Sequence, residues 1–150
     1  MKRPRIFLLQ GPNMNWLGKR QPEIYGTTTA DQLDDMCQTH AEATGYELTI
    51  FYSNSEGAAL DRLYLAVETD EFDGLVMNPA AWSMGSGAAI RDCLRSIAKP
   101  CIEVHIRNQY KIPHVSSTAE LADAVIQGMG CDGYRAALDA MFRRLTGSTW

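Results

Sequence analysis

Short apolar runs alternate with amphipathic stretches along all 150 residues of this chain, and that alternation restricts the fold more than any other feature. Ile6-Phe7-Leu8-Leu9 is unbroken by polar residues and lies between charged residues and Gln10-Gly11-Pro12, the pattern of a strand buried on both faces. Thr29-Ala30-Asp31-Gln32 matches a capping box, and Leu33, Met36, Cys37 and Ala41 supply the stripe of a helix that Gly45 stops. Tyr46 to Ser53 alternates Leu48, Ile50 and Tyr52 as a strand, and Asn54 to Gly57 reads as a turn. Ala59, Leu60, Leu63, Ala66 and Val67 mark a second helix; Gly74-Leu75-Val76-Met77 is a third strand, ended by Asn78-Pro79. The small residues Ser83 to Gly87 lead into a helix carrying Ile90, Cys93, Leu94 and Ile97, and Cys101 to Ile106 is a fourth strand. Ser117-Thr118-Ala119-Glu120 is another capping-box match and predicts a short helical turn. Ala124-Val125-Ile126, closely followed by Gly128 and Gly130, reads as a fifth strand. Tyr134, Ala137, Leu138, Met141, Phe142 and Leu145 fall on one face of a last helix. Such alternation predicts a doubly wound, five-stranded, mostly parallel sheet with right-handed crossovers. A single domain over residues 1–150 follows, because a chain this short does not comfortably build two cores.

Composition removes several classes of function. Fourteen Lys plus Arg against eighteen Asp plus Glu give a net charge of −4, so there is no polybasic footprint for nucleic acid or an anionic membrane. No window approaches the roughly 20 apolar residues of a membrane span, and the four-residue apolar run after Arg5 is too short for a signal-peptide core. The four cysteines, Cys37, Cys93, Cys101 and Cys131, form no C-x-x-C pair. Cys101 and His105 share a strand face without further ligands. We therefore expect no disulfides, no metal, and a reducing cytoplasmic setting.

In a doubly wound sheet the ligand crevice lies beyond the carboxyl ends of the strands, so chemistry is expected at the strand exits. The first exit, Gly11-Pro12-Asn13-Met14-Asn15-Trp16-Leu17-Gly18, is glycine-rich but lacks both phosphate-binding fingerprints. Asn13 and Asn15 suit a polar ligand or simply a turn. The segment Gly11 to Thr28 has no periodicity and reads as a long functional loop. Within it, Arg20 and Tyr25 pair a cation with a phenol. A phenol titrates near pH 10 unless a cation favours the phenolate, so the pair can supply a base; a surface Tyr beside a solvated Arg fits the segment as well. In Glu103-Val104-His105 the carboxylate and the imidazole project to one face of a strand. The carboxylate can fix the tautomer of the ring and keep it protonated, as a general acid requires. Asn78 ends a buried strand with a side-chain amide at the crevice.

These motifs, in this order, resemble the type II 3-dehydroquinate dehydratases. The resemblance rests on Gly11 to Gly18, Arg20-x-Pro22-Glu23-Ile24-Tyr25-Gly26, Asn54-Ser55-Glu56-Gly57, Asn78-Pro79-Ala80-Ala81-Trp82, Ile90-Arg91-Asp92, Glu103-Val104-His105, and Gly128-Met129-Gly130 before Gly133-Tyr134. It implies a flavodoxin-like fold assembled from trimers into a homo-oligomer, usually a dodecamer. It also implies a cofactor-free anti elimination of water through an enolate, acting on a small-molecule substrate. Under it, Tyr25 is the base, Arg20 favours its phenolate, and Asn13 helps hold the water that stabilises the enolate oxygen. His105, oriented by Glu103, protonates the departing hydroxyl, and Asn78, Ile106, Arg107, Asp92 and Ser116 stand at substrate-binding positions. The four lysines, Lys2, Lys19, Lys99 and Lys111, offer no obvious Schiff base.

The chain departs from the family pattern at substrate contacts. Ser55 replaces a histidine, and Trp82-Ser83-Met84-Gly85-Ser86 lacks another. Arg107 stands where Ser or Thr is usual, and Ser116 stands near the place of an arginine. A site that loses a hydrogen-bond partner rejects the group it once held, whereas Arg107 can grip a carboxylate through two bonds. Three readings follow: a 3-dehydroquinate dehydratase, a hydro-lyase using the same machinery on a different hydroxylated keto acid, or a non-catalytic oligomeric binding protein.

Overall fold

The computed structural model describes residues 2–150. Five parallel strands, β1 (Arg5–Gln10), β2 (Glu47–Tyr52), β3 (Gly74–Asn78), β4 (Cys101–His105) and β5 (Ala124–Gln127), form one sheet in the order β2-β1-β3-β4-β5. This is the flavodoxin-like order, whose direction reverses at β1/β3. The helices are α1 (Pro22–Tyr25), α2 (Ala30–Thr44), α3 (Glu56–Glu68), α4 (Ala88–Ile97) and α5 (Asp132–Leu145).

Side chains of β1 alternate between the two faces. Ile6 and Leu8 join Val76, Ile102 and Val104 under α2 and α5, which contribute Leu33, Cys37, Tyr134, Leu138 and Met141. Phe7 and Leu9 join Leu75 and Met77 under α3 and α4, which contribute Ala59, Leu63, Ile90 and Cys93. Both faces are covered, which explains the continuous apolar runs Ile6–Leu9 of β1 and Leu75–Met77 of β3. Among the described residues, no helix is long and apolar enough to cross a membrane.

The Thr29 capping box forms in full, with Gln32 N–H donating to Thr29 Oγ1 at 3.2 Å and Thr29 N–H donating to Gln32 Oε1 at 3.0 Å. Three expectations need correction. The stretch from Gly11 to Thr28 is not structureless, since it holds a 3-10 turn at Met14–Trp16 and the one-turn helix α1, opened by Pro22 at its first position. The turn at Asn54 to Gly57 ends early, because Ser55 caps Ala58 N–H and α3 already begins at Glu56. The helical turn after Ser117 exists as a 3-10 turn at Ala119–Leu121, but without the expected capping box. There the Ser117 hydroxyl donates to the Trp82 carbonyl and the Thr118 hydroxyl turns inward to Glu103.

Candidate active site

The exits of β1 and β3 are pressed together at the point where strand order reverses. Gly11 N–H donates to the Asn78 carbonyl at 2.8 Å, and a Cβ on Gly11 would lie 2.6 Å from the Pro79 carbonyl oxygen. Only glycine permits that approach. Asn13 and Ala80 follow in left-handed conformations, with φ of 67° and 47°. For a non-glycine residue these are strained and are held by their surroundings. Asn13 N–H donates to Asn54 Oδ1 at 2.7 Å, and Ala80 N–H to Asn78 Oδ1 at 3.0 Å. The Asn78 amide is fixed from its other end as well, since its Nδ2 donates to Tyr134 Oη, which in turn donates to Gln10 Oε1, both at 2.8 Å. Burial pushes the Tyr134 phenol up from its usual range, so it remains a protonated donor.

Arg20 and Tyr25 come together in the segment between β1 and α2. The guanidinium lies over the Tyr25 ring, 4.3 Å from its centre, and Nη2 approaches Tyr25 Oη at 3.4 Å. Among the described residues no carboxylate pairs with Arg20. The side-chain partner that the guanidinium does have there is Tyr25, by ring stacking and at the hydroxyl.

At the end of β4, Glu103 is fully buried and His105 nearly so. His105 Nε2 lies 2.5 Å from Glu103 Oε1, while the Thr118 hydroxyl donates to Glu103 Oε2 at 2.6 Å. Because the Thr118 proton is committed to the carboxylate, the contact at 3.0 Å between Ser116 Oγ and Thr118 Oγ1 is donated by Ser116. Burial alone would raise the Glu103 carboxyl. The bonds from His105 and from the Thr118 hydroxyl, the latter backed by Ser116, outweigh it together with the attraction of the imidazole and hold Glu103 below its ordinary value. On the other side of the ring, Gln109 Nε2 lies 3.0 Å from His105 Nδ1.

These elements enclose a cavity of about 110 Å³, scaled to a small molecule rather than a nucleotide. Asn13, Arg20, Tyr25, Asn78, His105, Ile106 and Arg107, each singled out from sequence, all line it. Glu103 stands behind His105. Asp92 and Ser116 do not reach this cavity. Asp92 is on the outer face of α4, bonded to Arg95 at 3.0 Å, and Ser116 is spent on the relay to Glu103. Thr118, Gln109 and Tyr134 went unassigned. Their partners lie 15, 4 and 56 positions away in sequence; Thr118 sits in a capping-box pattern that does not form, Tyr134 in a helical stripe that accounts for its burial but not for its hydrogen bonds, and Gln109 in no motif.

A flavodoxin-like sheet carrying a tyrosine beside a guanidinium and a carboxylate-bound histidine, on the walls of one small cavity, defines a class of proton-transfer lyases. Residues 4–142 match the family described as dehydroquinase class II, and the chain belongs to that family. It is 43% identical over 143 residues to a protein of Fusarium vanettenii named catabolic 3-dehydroquinase 1, covering 93% of this chain and 97% of that one. It is likewise 43% identical over 138 residues to a 3-dehydroquinate dehydratase of Bacillus licheniformis, covering 90% of this chain and 93% of the other. The crystal structure of a type II dehydroquinase from Butyrivibrio crossotus is similar at a TM-score of 0.87 and 35% identity, covering 94% and 98% of the two chains.

Proposed function

We propose that this chain is a 3-dehydroquinate dehydratase, a hydro-lyase that converts 3-dehydroquinate to 3-dehydroshikimate by anti elimination of water. The observation that carries this reading is that Tyr25 and His105 open onto the same cavity. The Tyr25 phenolate takes the proton from the carbon next to the ketone, and the C–H electron pair moves into an enolate. Asn13 holds the water that hydrogen-bonds the enolate oxygen. The enolate collapses back to the ketone, a carbon–carbon double bond forms, and the C–O bond breaks. The departing hydroxide takes a proton from His105 and leaves as water. Glu103 fixes the ring and stabilises its positive form, while Arg20 supports the phenolate. Asn78, Ile106 and Arg107 hold the substrate, Arg107 through its carboxylate.

Asp92 faces outward, and in our reading it serves the site of a neighbouring copy in a trimer-based homo-oligomer, a dodecamer. The exposed Tyr110, Val115 and Val125 offer apolar surface for such assembly. Four free cysteines fit a cytoplasmic enzyme. A related keto acid is the second reading, favoured by the departures from the family pattern at Ser55, Met84, Arg107 and Ser116, of which Met84 and Arg107 line the cavity.

A steady-state assay on 3-dehydroquinate, following the enone product by absorbance, tests both. Wild type turns over, while Tyr25→Phe and His105→Ala each lose at least about 10²-fold in kcat. A wild-type protein inert on 3-dehydroquinate but active on a related hydroxylated keto acid supports the second reading, and activity that survives both substitutions overturns the mechanism.

A further inference from the structure

His105 and Gln109 together form a partition. Both line the catalytic cavity, and both also line a second cavity of about 220 Å³ behind it, whose other walls include His114, Ser116 and Gln127. Gln109 is fixed in this wall by its backbone, whose N–H donates to Gln127 Oε1 at 2.9 Å. Its side chain is directed at the one ring nitrogen that Glu103 leaves free.

The bonding of the ring limits what that nitrogen can do. An ionised carboxylate at 2.5 Å accepts from Nε2–H whether the ring is neutral or positive. The proton that His105 gives to a leaving group must therefore come from Nδ1. In the neutral ring Nδ1 is an acceptor and takes a bond from the Gln109 amide nitrogen; in the imidazolium Nδ1–H is a donor and needs an acceptor. A primary amide carries both functions on one planar group. A half-turn about its last bond exchanges them without moving the stem, and the second cavity gives room for that turn. The other titratable or charged groups around the pair are Glu103 on β4, Arg20, Tyr25 and Arg107 in the catalytic cavity, and Tyr110 and His114 in the second. None of these is hydrogen-bonded to Nδ1 among the described residues.

Resting on the reading of His105 as the acid, we infer that Gln109 is a positioning residue for it: its amide donates to Nδ1 of the neutral ring and turns over to accept from Nδ1–H of the imidazolium, so that the ring keeps one place through the proton-transfer cycle. The substrate's departing hydroxyl then replaces an amide already aligned on Nδ1–H.

The test combines nitrogen NMR with kinetics on the full-length protein. In protein with ¹⁵N-labelled histidine, the neutral His105 ring carries its proton on Nε2, and Nδ1 gives a hydrogen-bonded acceptor signal. A neutral ring protonated on Nδ1 overturns the inference without any variant. Gln109→Met keeps the stem and removes both functions. It moves the Nδ1 signal to the unbonded position and lowers kcat about tenfold, the scale of one neutral hydrogen bond, with KM changed less than threefold. Gln109→Glu restores an acceptor for Nδ1–H and brings kcat back to within threefold of wild type. Unchanged kcat in Gln109→Met, a loss confined to KM, an unmoved Nδ1 signal, or failure of Gln109→Glu to rescue each overturns it. If Gln109→Met does not fold, the wild-type spectra still decide. Full activity in both Tyr25→Phe and His105→Ala would instead sink the catalytic reading and leave the hydrogen bond itself standing.

Discussion

Thr118→Val replaces a buried hydroxyl by a methyl group of nearly the same shape and leaves Glu103 Oε2 without its bond at 2.6 Å. A hydrogen bond to a charged group contributes about 1.5–3 kcal/mol. Glu103 is fully buried, so solvent does not repair the loss. For a chain of this length 2 kcal/mol corresponds to roughly 4–8 °C in Tm. The sign of the pH dependence follows from Glu103, whose folded value lies below its ordinary 4.5. Its contribution is complete above the unfolded value and is lost as pH falls through the folded one. The gap between wild type and Thr118→Val is therefore full at pH 7 and closes progressively below about pH 4.5. A carboxylate that is harder to ionise also supports the His105 imidazolium less well, and kcat on 3-dehydroquinate falls about tenfold, the equivalent of 1.4 kcal/mol. Thermal melts at fixed protein concentration across this pH range, beside the absorbance assay, check both effects. A gap of the same size at pH 7 and pH 4 would refute the reasoning, because it would trace the loss to packing rather than to the carboxylate.

Three further substitutions probe the rest of the cavity. Tyr134→Phe leaves Asn78 Nδ2 and Gln10 Oε1 buried without their shared partner. It costs about 1–3 kcal/mol in denaturant unfolding and raises KM as Asn78 loosens. Gly11→Ala drives a methyl group into the Pro79 and Asn78 carbonyls, which are backbone and cannot turn aside; we expect about 1–3 kcal/mol of destabilisation and a fall in kcat/KM larger than that of any surface Gly→Ala. Arg107→Met keeps the stem and removes the charge, so KM rises about tenfold with kcat within threefold, as expected when binding alone is lost; a loss carried by kcat would assign Arg107 to the chemistry.

What the chain discloses before folding depends on how local the cause is. The strand of Ile6 to Leu9, the Thr29–Gln32 box and the stop at Gly45 are set by neighbours within a few residues, and each forms as its pattern predicts. Glu103 and His105 meet because two residues apart on a strand share a face. The sequence of helix α1 reads as part of a loop, because a single turn is too short for periodicity to register and Pro22 at its first position suits a loop as well. The capping box at Ser117 failed for a non-local reason. Its second residue, Thr118, had a stronger partner in a buried carboxylate 15 positions away, and satisfying that group outweighed a surface cap. Tyr134 likewise reaches Asn78 and Gln10 only because α5 crosses the sheet.

The departures from the family pattern fall into two kinds once their surroundings are known. Ser55 caps α3 through Ala58 N–H, and Ser116 feeds the relay that holds Glu103 ionised. Both have taken structural duties, and neither lines the catalytic cavity. Met84 and Arg107 do line it, so whatever recognition the other two positions gave up falls on these. Met84 supplies a flexible apolar wall and no hydrogen bond to an oxygen. Arg107 supplies a charge that no carboxylate of this chain neutralises among the described residues. Arg20, the other guanidinium on the wall, is occupied with the Tyr25 ring. Among the described residues, an anionic substrate in this cavity therefore meets one guanidinium that is not already engaged, and it follows directly after His105 and Ile106 at the exit of β4. Under the proposed function, the group that meets the carboxylate and the group that protonates the leaving hydroxyl stand two residues apart where β4 ends at His105.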